Sequence, residues 1–265
     1  MTGEYYITKD LLKQHSPCED GYRWFCENYP NGGKYQEILD KLCDDNRFGD
    51  ACWLLSKIGA TTDILELDTL EDHNKQICFA GSIKVRDTIR VLNIKAGGHI
   101  EAGGHIEAGE YIGASGYIEA GGYIKAGEDI EAGEGINASW GIKAGGDIEA
   151  GWDIKAGENI NAGAFIKAGE DINAGLDIEA GWGIKAGEDI KGGGDIKAGE
   201  DIVAVWGIKA GWSIEAGGYI KAGNDYGIYA GLNVRLSEQE QYGYITAKAK
   251  PENIMCGNWK ESEST

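Results

Sequence analysis

The chain has 265 residues, a length that allows one domain or two small ones. Forty-three glycines against three prolines exclude a collagen-like or proline-rich filament, and 42% hydrophobic residues exclude a disordered chain. A formal charge of −19 excludes a DNA-binding surface of the usual basic kind and points to basic partners or to solubility.

Residues 1–77 are expected to form a small helical cap domain and a lead-in. The start, MTGEYYITKDLLKQ, has no basic segment followed by an apolar run, so no signal peptide is expected. No window approaches the ~18 apolar residues of a membrane helix, and the expected location is the cytoplasm of a bacterial host cell. Ser16-Pro17-Cys18-Glu19 reads as a capping box with proline at the first helical position, opening a helix to about Asn28. Tyr35, Ile38, Leu39 and Leu42 make an i, i+3, i+4, i+7 stripe, and Ala51 to Ile58 is a third helical run closed by Gly59. Thr61 to Ser82 leads into the first coil. Cys18, Cys26, Cys43, Cys52, Cys78 and Cys256 form no CxxC pair; buried reduced thiols are expected, with a zinc site including His15 as the alternative. Trp24 and Trp53 are assigned to the core, with partner binding as the alternative.

Isoleucine occurs at 94 and at every sixth residue through 220, giving twenty-two repeats of Ile-Lys/Glu-Ala-Gly-x-x. A period of six does not fit a helix of 3.6 residues per turn, and this much glycine disfavours one further. It fits a short strand plus a corner, with Ile and Ala facing inward and the residue between them outward. The glycine after Ala is expected to supply the unusual backbone angles of the turn. The predicted fold is mainly β: a parallel β-solenoid, three-sided with ~18 residues per coil, running over 78–236. Three sides follow from core filling; the clearest duplication, IEAGWDIKAGENI from 148 and IEAGWGIKAGEDI from 178, is offset by thirty. The perfect repeat alone makes about seven coils, or ~35 Å at ~4.8 Å per coil. An exposed solenoid end needs a cap, so residues 237–265 are assigned to a C-terminal cap in which Tyr242 to Lys260 closes the rod irregularly.

The repeat block carries most of the charge, −13 over residues 94–225. The residue after Ile is Lys in ten repeats and Glu in seven, a mixed ladder that largely neutralises itself. The two residues before Ile hold Glu110, Glu128, Glu134, Glu158, Glu170, Glu188 and Glu200, and Asp129, Asp147, Asp153, Asp171, Asp177, Asp189, Asp195 and Asp201, with no Lys or Arg; Asp225 keeps the same register ahead of the inserted Tyr226-Gly227. The same positions hold Tyr111, Tyr117, Tyr123, Trp140, Trp152, Phe165, Trp182, Trp206, Trp212 and Tyr219. A solvated surface and stacking between coils account for these in one reading. In the other they are a contact surface, with Glu128-Asp129, Glu170-Asp171, Glu188-Asp189, Glu200-Asp201, Trp152, Trp182, Trp206 and Trp212 as the partner-binding residues.

No metal-ligand spacing, nucleophile elbow or phosphate loop appears, so no catalytic residue, metal or cofactor is assigned and the protein is not expected to be an enzyme. The repeat loosely resembles the left-handed β-helix acyltransferases. Those place a small residue two before the aliphatic one and use a His near a protruding loop. Here Ala follows Ile by two, and His99 and His105 lie inside uninterrupted repeats. In shape and charge the rod resembles the pentapeptide-repeat proteins, acidic β-solenoids that imitate DNA, and the accessory proteins of phages and prophages that inhibit CRISPR effectors and restriction enzymes. That resemblance implies a non-enzymatic inhibitor that mimics nucleic acid toward a basic nuclease, CRISPR effector or topoisomerase, without touching nucleic acid or membrane itself. Ends capped by residues 1–60 and 226–265 are expected to limit assembly to a homodimer. The alternative is a structural, self-assembling protein resembling the bactofilins.

Overall fold

The computed structural model describes residues 5–234, Glu238 and residues 242–262. Four helices come first: α1 (Lys9–Gln14), α2 (Glu19–Asn28), α3 (Tyr35–Asp44) and α4 (Phe48–Ile58). Tyr35, Ile38, Leu39 and Leu42 are buried as their spacing requires, and Gly59 closes α4 with a φ of 92°. The start of α2 differs from the sequence expectation. Cys18, not Ser16, is the N-cap, and its Sγ accepts the Gly21 N–H at 3.3 Å. Ser16 instead takes a φ of 52° at the link between helices. Trp24 and Trp53 are partly buried and line an apolar cavity of about 140 Å³ with Leu12, Phe25 and Leu42. All six cysteines are free thiols, of which Cys43 and Cys78 are buried and Cys18 is exposed.

The rest of the chain is a parallel β-solenoid. Within the regular repeat, from Ile94 to Ile220, strands pair eighteen residues apart: Ile100 aligns with Ile118, Ile118 with Ile136, and so on. Three strands therefore make one coil, and the rod has three faces. Face I contains Ile100–Ala102 and Ile118–Ala120, face II Ile106–Ala108 and Ile124–Ala126, and face III Ile112–Ala114 and Ile130–Ala132. The isoleucines stack in three columns that are 0–4% exposed, with the alanines beside them. Face I has eleven strands, from Ile64–Leu67 to Ile254–Cys256, so the rod has about eleven coils and spans roughly 48 Å at ~4.8 Å per coil.

The solenoid extends beyond the repeat at both ends. Ile64–Leu67 and Leu70–Phe79 already pair in the sheets, ahead of the expected start at 78. Tyr244–Ala247 aligns Ile245 with Ile214, and Asn258–Glu261 aligns Trp259 with Ile245. This stretch continues the coil rather than closing it irregularly, because Ile245 and Trp259 supply the inward side chains that the hexapeptide rhythm no longer does. The expected boundary between 236 and 237 lies outside the described residues.

The repeat glycines have a different cause from the one expected. Positive φ values occur at Gly32, Gly59, Gly231, Gly243 and Gly257, none of them in the repeat. A Cβ at Gly145 would lie 1.9 Å from the carbonyl oxygen of Gly127 one coil below. Close stacking at the corner, not turn geometry, disfavours a side chain there, and only Ser115, Ser139 and Val205 depart from glycine in the regular repeat. Val205 occupies the equivalent position in its repeat, and its N–H bond to Ala186 O is 3.3 Å, longer than the neighbouring corner bonds.

The helices cover the opening edge of the rod. The Gln36 amide donates to Cys78 O at 2.9 Å, and its Oε1 accepts the Ala80 N–H at 2.9 Å. One side chain thus satisfies a donor and an acceptor that a further strand would otherwise meet. The helical domain also overlaps face III. Phe48 packs on Tyr111 with ring centroids 6.2 Å apart, and Tyr111 lies over Gly113, where a Cβ would be 2.3 Å from its hydroxyl.

Candidate functional site on the edges of the rod

Each corner of the solenoid is two distinct positions, and they do different things. The residue immediately before Ile is half-buried and its side chain turns along the rod axis. Asp129 accepts the Asp147 N–H at 2.7 Å, Asp147 the Phe165 N–H at 2.8 Å, and Asp153 the Asp171 N–H at 3.1 Å. Asp171, Asp177, Asp189, Asp195 and Asp201 make the same bond at 2.7–3.0 Å. Asn93, Asn159 and the Nδ1 atoms of His99 and His105 substitute for Asp in their coils. These oxygens and nitrogens satisfy corner N–H groups that the strand ladder leaves over, so the aspartates are structural acceptors before they are surface charge. Lysines of the outward ladder then pair with several of them: Lys191 with Asp189 at 2.8 Å, Lys197 with Asp195 at 3.1 Å, and Lys155 with Asp153. The Asp189 side chain is 13% exposed. Burial works against its ionisation, but the Lys191 ammonium and the Gly207 N–H outweigh it and hold the carboxyl below its ordinary value.

The residue one place earlier points outward. Glu128, Glu158, Glu170 and Glu200 are exposed, as are Trp140, Trp152, Trp182, Trp206 and Trp212. The sequence holds the signal that separates the two positions: within the uninterrupted repeat, Asp never occurs at the outer one and Glu never at the inner one. Asp is the length that reaches the next coil's N–H from the inner position.

The topology sorts the acids by edge. Edge I, which leads into face I, carries Trp152, Glu170-Asp171, Glu188-Asp189 and Trp206 on successive coils. Edge III, which leads into face III, carries Glu128-Asp129, Trp182 and Glu200-Asp201. Trp212 stands apart on edge II. The partner-binding residues expected from sequence thus fall on all three edges, but every acid among them lies on edge I or III, and those two edges border the same face. With Glu134, Asp153, Glu110 and Asp147 added, each of these edges holds six carboxyls, against three on edge II. Crowding registers at Glu188: partial desolvation first, then the charges of Asp171 and Glu170, push its carboxyl above the ordinary value.

Face III between these edges is a shallow groove lined by Lys95, Ser115, Glu131, Glu149 and Lys167. Its mixed charges partly cancel, with Lys167 bonding Glu149 at 2.5 Å and Tyr111 donating to Glu131 at 2.6 Å. The aromatics stack along the rod in part. His99 with Tyr117 and His105 with Tyr123 are stacked at 4.0 Å, and Phe165 meets Trp182 edge-on at 5.1 Å. Among the described residues no group of three His, Cys, Asp or Glu is placed to hold a metal ion, and no helix is long and apolar enough to cross a membrane.

No curated protein and no solved structure matches the chain. Its first 61 residues, the segment containing all four helices, match the family model of the YdhT N-terminal domain.

Proposed function

We propose that the solenoid is a non-catalytic inhibitor that presents face III, with its two acidic edges, to the nucleic-acid site of a basic protein. The observation that carries this reading is the sorting of the carboxyls. Two lines of negative charge run along the rod, from Glu134 to Asp189 on edge I and from Glu110 to Asp201 on edge III, separated by one short strand, while the third edge holds half as many carboxyls. A strand of three residues plus its corners sets the lines about 15 Å apart, near the ~12 Å width of a DNA major groove. The longer of the two lines, on edge III, covers five coil steps or ~24 Å, which corresponds to about seven base pairs. The anti-CRISPR or anti-restriction class fits this reading.

The test uses the immobilised full chain to capture its partner from a bacterial lysate, followed by competition with DNA for the partner. The variant changing Glu128, Glu170, Glu188 and Glu200 to Gln and Asp129, Asp171, Asp189 and Asp201 to Asn removes eight charges from edges I and III. Asn keeps the inner acceptor, as Asn93 and Asn159 do naturally, so the fold should stand. The wild type should displace DNA and the variant should not. A variant that competes equally, or a partner that holds DNA and this protein together, refutes the mimic.

A further inference from the structure

Edge II differs in kind from the other two. Its outer positions hold Trp140, Leu176 and Trp212, which are 51%, 49% and 49% exposed. They are spaced by thirty-six residues, or two coils, so the three side chains form an apolar ridge with a step of ~9.6 Å. Trp140 meets His105 at 5.0 Å and Trp212 meets Tyr242 at 5.6 Å, and both tryptophans remain about half exposed. The ridge is symmetric about Leu176.

Its electrostatics also differ. Over this span edge II carries Glu158, Asp177 and Asp195, and both aspartates are engaged by the next coil's N–H. The flanking outward positions of face II add Lys143 and Lys197 against Glu179 and Glu215, while the lysines of face I, Lys155, Lys191 and Lys209, lean to Asp153 and Asp189 on edge I. Edge II is therefore the least acidic of the three edges, with Lys197 already paired to Asp195. Two copies meeting through edge I or III would oppose crowded carboxylates. Through edge II they would bury three large apolar side chains apiece at a smaller electrostatic cost.

We propose that edge II is the contact between two copies of this chain, packed antiparallel about a two-fold axis through Leu176. That axis sets Trp140 of one copy against Trp212 of the partner subunit, and by symmetry the reverse. It also brings Lys143 level with Glu215 of the partner subunit. The helical domain packs on face III at Tyr111, away from this contact, whereas Gly231 to Asn233 and Tyr242 lie on edge II against Gly193, Gly211 and Trp212 and so form part of it. The dimer leaves both acidic edges outward in each copy and does not depend on the identity of any basic partner.

Sedimentation velocity and light scattering on the purified full chain, without any partner, test the contact. The wild type should be a dimer. Leu176→Glu, and Trp140→Glu with Trp212→Glu, change exposed positions and should weaken self-association at least about thirtyfold while leaving the circular dichroism unchanged. Leu176→Ala with both tryptophans changed to Ala serves if a charged variant folds poorly. Trp152→Glu and Trp182→Glu, on the other edges, should remain dimeric. Leu176→Cys lies on the axis and should give a disulfide-linked dimer on mild oxidation, whereas Trp152→Cys should not. A monomeric wild type, a dimer that survives the edge II variants, or end-to-end filaments overturns the proposal.

Discussion

Asp171 accepts the backbone N–H of Asp189 at 3.0 Å from one coil below, and Asp189 in turn accepts that of Gly207 at 2.7 Å. Each carboxylate has one oxygen committed to the next coil and one left for a lysine or for water. Charge and structure are therefore separable at a single atom. Asp171→Asn keeps the accepting oxygen and should leave thermal stability close to that of the wild type. Asp171→Ala leaves a corner N–H without its acceptor and should cost about 1–3 kcal/mol in chemical denaturation. Equal losses in the two variants would show that charge, not the hydrogen bond, is what the corner needs.

The core columns leave little room for substitution. Ile154 and Ile172 are 0% exposed and align with each other on face I. Either one changed to Asp places an unpaired carboxylate between coils, a cost of several kcal/mol that an inner column cannot relax. Limited proteolysis of these variants should show a truncated or unfolded rod. Ordinary thermal stability in both would mean that the isoleucines do not carry the stacking.

Periodicity made the repeat legible because one residue type, Ile, serves one structural role at one spacing. Where the spacing breaks, as between Ile228, Ile245 and Ile254, the strands still pair in the sheets but the rhythm no longer marks them. The corners were half legible. Counting both positions before Ile together found the acids but merged two roles, because the inner aspartates and outer glutamates differ by one methylene and by the direction they face. The ridge of Trp140, Leu176 and Trp212 was harder to see. Its members are thirty-six residues apart and become neighbours only once eighteen residues are known to make a coil. Gln36 gave no signal at all, since its role depends on the exposed edge at Cys78 and Ala80.

The Gln36 amide is a sharper probe of the domain junction than any apolar contact. Gln36→Glu keeps the oxygen that accepts the Ala80 N–H but sets a carboxylate oxygen against Cys78 O, where a donor is required. The helical domain should loosen by about 1–3 kcal/mol at neutral pH. Hydrogen exchange should then show faster exchange of the Ala80 amide and of α3, with the distal coils unchanged. Slow exchange preserved across residues 70–80 would mean that the helices hold the edge without this side chain.

The last prediction joins the acidic edges to the proposed partner. The Glu188 carboxyl is raised by desolvation and by the charges of Asp171 and Glu170, so at mildly acid pH the free protein retains a proton there longer than an isolated glutamate would. A basic partner set against edge I favours the ionised form, and docking must then release protons. The sign follows: affinity should rise as pH climbs from about 4.5 through the raised value of Glu188, and level off above it. Calorimetry in two buffers of different ionisation enthalpy should detect the proton release, and Glu188→Gln should reduce it. Affinity should also fall steeply with added salt, because the remaining edge charges are screened within ~10 Å at 0.1 M. Glu179→Gln, at the outward position of face II rather than on an acidic edge, should change the proton release little and the salt dependence less than an edge glutamate does. Binding that is indifferent to salt and pH would place the contact elsewhere on the molecule.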